Sequence, residues 1–138
     1  MRRVLFDSDV LLDVLAQRQP FIVVSAQALN TVTQPQVQGY VAGHAVTNIF
    51  YILRRQVGSE TARELLSRLL QHLQIGSVTD EVIRAALQCS MTDFEDAVTS
   101  EAANAASVEV IVTRNTSDFM ASAIPAILPE ELLAMPLE

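Results

Sequence analysis

Three groups of acids stand out along a chain of 138 residues: Asp7 with Asp9, Asp93 with Asp96, and Asp118. Asp93 and Asp96 stand three apart at what reads as a helix start, so they share a face. Carboxylates brought to one place repel one another and raise their own pKa values. A divalent cation removes that conflict. Carboxylate oxygens are hard donors and select Mg²⁺ or Mn²⁺ over softer metals. Two such ions about 4 Å apart activate a water and stabilise the leaving oxygen of a phosphodiester. Acids at helix starts are also common as caps, so spacing alone leaves both readings open.

The elements that must position these acids follow from apolar patterning. Arg3-Val4-Leu5-Phe6 reads as a short buried strand that stops at Asp7. A helix from about Asp9 to Arg18 follows, capped by Asp9 or Ser8. Pro20 suits the N1 position of a second helix through Val23, Val24, Ala26 and Leu29. Val37 to Val41 is a second strand, His44 to Val57 a helix, and Gly58 suits its C′ position. Ser59 caps the next helix, Ile75 to Val78 is a third strand, and Thr79 or Asp80 opens a helix through Leu87. Thr92-Asp93-Phe94-Glu95 fits a capping box, with Thr92 as N-cap and Glu95 at N3, and Ala97 to Ala106 continue that helix. Val108 to Val112 is the clearest strand. Ala126-Ile127 is a short last one, and Pro129 begins a terminal helix. Strands alternating with helices predict an α/β fold, a mainly parallel sheet covered on both faces. Ligands then bind outside the carboxyl ends of the strands, which places Asp7, Asn115 and Asp118 on one edge.

Composition bounds the rest. Half of the residues are hydrophobic and 18% are charged, a globular composition for a single domain over 1–138. The net charge is −7, and all nine basic residues are Arg. That balance argues against a general nucleic-acid coat protein, which needs a basic field, and leaves room for a local acidic metal site. Cys89 is the lone cysteine, so intramolecular disulfides and Cys-based zinc clusters are excluded and a reducing, cytoplasmic setting is expected. Met1-Arg2-Arg3 and the apolar residues after it imitate a signal peptide until Asp7, Asp9 and Asp13 interrupt them. No apolar stretch approaches the ~18 residues of a membrane span.

The order VLFDSDVLLDVL, VTNIFYILRR, DFEDAVTSEAA, IVTRNTSDF and IPAILPEELL resembles the PIN-domain family over nearly the whole chain. The likeness is greatest to small prokaryotic members of the VapC-like kind, many of which resemble the ribonuclease toxins of toxin–antitoxin pairs. The resemblance implies a three-layer α/β/α sandwich and a Mg²⁺- or Mn²⁺-dependent nuclease acting mainly on RNA. It also implies a homodimer and, for a toxin, an antitoxin whose peptide inserts near the acids. It matches Asp7 to the family's first acid, Asp96 to the central acid with Asp93 beside it, and Asp118 to the last. Asp7, Asp96 and Asp118 are then catalytic, and with Asp93 they are the metal ligands. Asn48 stands where the family usually has Glu; it offers a neutral oxygen and cannot act as a base. Asn115 stands where many relatives carry Asp, and Asp9 where they carry Asn.

Beside these roles stand plainer ones. Asp93 is equally a helix-start residue, and Asp118 an Asx-turn residue. Thr113 and Ser8 either support a ligand or end a strand and start a helix. Glu95 is most simply the capping partner of Thr92, and Asp13 a solvated helix residue. His44 and His72 match no motif and are expected to be structural or solvated. Arg54 and Arg114 are phosphate-contact candidates, with ion pairing to the surplus acids as the alternative. Two functions compete: a metal-dependent ribonuclease, and a catalytically degenerate module that binds a protein partner or RNA without cutting.

Overall fold

The computed structural model describes residues 1–136. Five strands, β1 (Arg2–Phe6), β2 (Val37–Ala42), β3 (Leu73–Gly76), β4 (Val110–Val112) and β5 (Ala126–Ile127), form one sheet in the order β3-β2-β1-β4-β5. Every pairing is parallel, with Val4 opposite both Gly39 and Val110. Among the described residues, six α-helices lie between the strands, α1 (Ser8–Leu15), α2 (Ile22–Asn30), α3 (Gly43–Val57), α4 (Ser59–Leu69), α5 (Asp80–Gln88) and α6 (Phe94–Ala105), and α7 (Pro129–Ala134) follows β5. This is the expected α/β/α sandwich. Among the described residues, no helix is long and apolar enough to cross a membrane.

The first strand is the centre of the sheet. Val4, Leu5 and Phe6 are wholly buried, because a strand covered on both faces has no polar side. From β1 the chain steps outward through α1 and α2 to β2, then through α3 and α4 to β3. It then returns through α5 and α6 to the other flank of β1. Right-handed crossovers in opposite directions put the two helix groups on opposite faces. α6 meets the sheet through Ala97, Val98, Ala102 and Ala103, whose small side chains allow close approach. The order reverses between β1 and β4, and such a switch point leaves a crevice at the strands' carboxyl ends.

Several local expectations need correction. α1 begins at Ser8, and its N-cap is Asp7, whose carboxylate accepts the Ser8 amide; neither Ser8 nor Asp9 is the cap. It ends at Leu15, short of Arg18, where Gln17 turns into the left-handed region (φ 53°). Pro20 lies outside α2, whose N-cap is Phe21. Ser59 is the first helical residue after Gly58, which takes φ 86° and serves both as the end of α3 and the cap of α4. β3 is two residues earlier than apolarity suggests, because it is an edge strand: Leu73 and Gly76 face the core while Ile75 is half exposed.

Gly39 in β2 marks a close approach. A Cβ there would stand 2.5 Å from Val32 and 2.6 Å from Leu73 side-chain atoms. Gly39→Ala is therefore expected to lower stability by about 1–3 kcal/mol, read as a lower urea midpoint with an unchanged m-value.

Candidate functional site

The cleft at the switch point is lined by Asp7, Ser8, Asp9, His44, Ala45, Glu95, Asp96, Thr99, Asn115 and Asp118, and encloses about 170 Å³. Asp7 is carried there by the end of β1, whose register is closed by the Asp7 amide donating to Val112 O at 2.9 Å. Its Oδ1 accepts the Ser8 amide at 2.9 Å, and its Oδ2 accepts the Thr113 hydroxyl at 2.9 Å. Thr113 is fully buried at the end of β4, so this bond joins the two central strands across the crevice.

Asp9 is part of the same joint. Its Oδ2 accepts the Arg114 amide at 3.0 Å and Asn115 Nδ2 at 3.1 Å, and its Oδ1 accepts the Val10 amide. Asn115 thus braces Asp9, and its own amide donates to Thr113 Oγ1 at 3.1 Å. Asp118 rides on a short 3-10 turn, Thr116–Phe119, which its neighbour Phe119 anchors in the core. No hydrogen bond to the Asp118 carboxylate is found among the described residues, so the Asx-turn alternative has no support.

The helix carrying Asp96 starts one residue later than expected. Asp93, not Thr92, is the N-cap, and its Oδ1 accepts the Asp96 amide at 2.9 Å. A carboxylate caps as well as a hydroxyl does, and the shift puts Asp96 at N3. Glu95 is thereby released from the expected capping box and lines the cleft instead. Asn48 Nδ2 donates to Glu95 Oε1, which ties α3 to α6 at the cleft's rim. Asp93 and Asn48 stand beside the cleft rather than among its lining residues.

His44 also belongs to the lining, which no sequence motif signalled. Its Nε2 donates to Glu95 O at 3.1 Å and lies 3.2 Å from Thr99 Oγ1, while its buried Nδ1 has no partner among the described residues. Its position could be found only by knowing that the start of α3 abuts that of α6.

Arg114 and Asp13 depart most from expectation. Asp13 is fully buried instead of solvated, and it accepts Arg114 Nε at 2.7 Å, Arg114 Nη2 at 3.1 Å and the Ser25 hydroxyl at 3.0 Å. The Arg114 guanidinium also lies 3.8 Å from the centre of the Phe21 ring. The hydrogen bonds to Asp13 hold its proton more firmly than usual. Arg114 is committed to this pair and is not a lining residue of the cleft. Arg54 is exposed on α3, over the Tyr51 ring.

Crowding of acids shows in their protonation. Burial, then the Asp9 charge, pushes the Asp7 pKa up to about 6, against hydrogen bonds from Thr113 and Ser8 that lower it. Asp96 is pushed up to about 7 by burial and by the charges of Asp93, Asp7, Asp118 and Glu95. Asp9 is raised mainly by burial. Five carboxylate side chains and no Arg line the cleft, a donor set that suits a hard divalent cation. Among the described residues, no three His, Cys, Asp or Glu side chains converge closely enough to enclose a metal unaided. The donors are of the right chemistry without forming a closed cage.

A parallel α/β/α sandwich with acids at its central switch point is an architecture that several families share, and comparison narrows it to one. Residues 3–117 match the family model of the PIN domain, and the chain belongs to the PIN-domain family. Among solved structures, DNA-bound VapBC from Salmonella typhimurium superposes with a TM-score of 0.73 at 12% identity, covering 94% of this chain and 99% of that one. A toxin–antitoxin complex from Klebsiella pneumoniae gives 0.69 at 22% identity, over 91% and 97%. A sarcin–ricin-loop-cleaving toxin from Mycobacterium tuberculosis gives 0.63 at 12% identity, over 78% and 86%. At these identities the likeness is one of fold. No curated protein matches the sequence.

Two predictions follow from the site's electrostatics. Removing Arg114 strands a buried carboxylate, whereas removing Asp13 leaves a guanidinium that still reaches water (24% exposed). Arg114→Met is expected to cost about 3 kcal/mol in urea unfolding, and more than Asp13→Asn; the reverse order would show that the pair does not hold the loop. Asp7 and Asp96 keep their protons to higher pH in the folded chain than in the unfolded one. Folding therefore takes up protons between about pH 4 and pH 7, and stability falls as pH rises through that window. Asp96→Asn should raise the Tm of the metal-free protein at pH 8, with the gain shrinking toward pH 4.

Proposed function

We propose that this chain is a metal-dependent ribonuclease of the toxin–antitoxin kind. The observation that carries the reading is the cleft itself: five carboxylates gathered at the β1/β4 switch point, two of them pushed up to about 6 and about 7 by burial first and by neighbouring acids second. Asp7, Asp96 and Asp118 would hold Mg²⁺ or Mn²⁺, with Asp93 beside them. When bound, such an ion supplies positive charge that stabilises a phosphodiester as negative charge develops on it. An open donor set suits Mg²⁺, which keeps waters and shares its coordination with substrate phosphates.

The chain's own residues set the geometry. The Thr113 hydroxyl and the Ser8 amide fix both oxygens of Asp7, and each oxygen keeps a second lone pair. Asn115 and the Arg114 amide fix Asp9 and hold the turn that presents Asp118. Glu95 supplies negative charge on the side where Asn48 has none, and Asn48 orients it. The similarity to toxin–antitoxin complexes supports an antitoxin as partner, a second copy of the chain is expected from the family, and the likeness in fold to a sarcin–ricin-loop-cleaving toxin supports RNA as the substrate. The rival, a degenerate binding module, draws on Asn48 and on the open acid cluster.

Purified protein is expected to cleave single-stranded RNA with Mn²⁺ and not with EDTA, and Asp7→Asn or Asp96→Asn to slow cleavage by roughly 10²-fold or more. Glu95→Gln should also slow it. Asn48→Glu would press a second carboxylate against Glu95 and should lower activity. If the parent is inert and Asn48→Glu cuts RNA, the protein is a degenerate nuclease.

A further inference from the structure

The hairpin of α3 and α4 has the opposite charge from the cleft. Residues 43–69 hold four arginines against two glutamates, a net +2 in a chain of net −7. Arg68 pairs with Glu64, but among the described residues Arg54, Arg55 and Arg63 have no acidic partner. Two of these guanidinium groups lie over rings: Arg54 at 5.0 Å from the Tyr51 centroid, and Arg63 at 5.7 Å from that of Phe50. The rings meet edge to face at 5.4 Å, and Tyr51 is 49% exposed. Beside them a groove of about 390 Å³ opens between α3 and α4, lined by Phe50, Tyr51, Arg63 and Leu66.

This surface is continuous with the acidic cleft. His44 lines the cleft and Asn48, one turn on, holds Glu95 at its rim. Tyr51 and Arg55 continue the same face of α3. At a rise of 1.5 Å per residue, Tyr51 stands about 10 Å further along the axis than His44.

We infer that this face of α3 and its groove form the docking track for single-stranded RNA whose scissile phosphate lies in the cleft. The inference rests on the ribonuclease reading. The cleft repels a polyanion until its charge is offset, so affinity for RNA has to come from outside it. The unpaired arginines supply phosphate contacts, and the Tyr51 and Phe50 rings supply stacking faces for unpaired bases. Paired bases offer no free face for stacking, which selects a single strand over a duplex.

The test is fluorescence anisotropy of a fluorescein-labelled, mixed-sequence single-stranded RNA in EDTA, where no cleavage is expected, with light scattering on the same samples. Tyr51→Ala should weaken binding roughly tenfold. Arg54→Gln with Arg63→Gln should flatten the slope of log K against log salt by about 1.4. A duplex of the same sequence should bind more weakly and ignore Tyr51→Ala. All three positions are exposed, and an unchanged Tm confirms an intact core. Undetectable RNA binding by the parent at low salt, or affinity unchanged in both variants, overturns the inference. So does an altered molecular mass with RNA affinity intact, which makes the groove an interface between copies. If the parent cleaves RNA with Mn²⁺ while the variants keep its KM, the track falls and the ribonuclease stands. If the parent cuts nothing but the variants lose affinity, the track stands and the ribonuclease falls.

Discussion

The bidentate pair between Asp13 and Arg114 joins two parts of the chain that are 101 residues apart in sequence. Burying a full carboxylate is expensive unless every oxygen is satisfied. Here Nε, Nη2 and the Ser25 hydroxyl satisfy both, and Phe21 covers the guanidinium. The consequence reaches beyond the pair. With its side chain locked onto α1, Arg114 aims its backbone amide at Asp9, and Asn115 follows it there. The segment after β4 then leaves at a defined angle, which brings Asp118 back over the carboxyl end of β1.

The cleft is a site of deliberate electrostatic conflict held in place by neutral donors. Thr113, the Ser8 and Val10 amides and Asn115 hydrogen-bond its carboxylates without cancelling their charge, and the nearby Arg114 guanidinium is spent on Asp13. Unneutralised acids on a folded chain cost stability at neutral pH, a cost that structural acids rarely carry unless a ligand offsets it. The remaining arginines are not spread evenly over the surface: three unpaired ones gather on α3 and α4. Overall acidity therefore conceals two regions of opposite sign along one helix.

Much of this arrangement was legible in the sequence, for physical reasons that particular residues show. The buried runs at Val4–Phe6 and Val110–Val112 have no polar alternation, and that alone marks central parallel strands. Strand ends then placed Asp7 and Asp118 on one edge. What stayed hidden depended on partners distant in sequence. Asp13 looks like any polar residue on an amphipathic helix until Arg114 arrives from the far side of the fold. His44 and Glu95 enter the lining because two helix starts abut, a juxtaposition with no local signature. Thr92 and Asp93 are nearly equal as caps, so a one-residue choice decided whether Glu95 served the helix or the cleft.

The place of β1 at the middle of the sheet has a consequence for how the protein comes to exist. β1 precedes its neighbours in the chain and acquires its second one only when Val110–Val112 have been made, and Thr113, Arg114, Asn115 and Asp118 come later still. A nascent chain can pair β1 with β2 and β2 with β3, yet it owns only one wall of the crevice. The acids therefore meet only after Asp118 has been translated, and a chain cut short before that residue carries no assembled cleft.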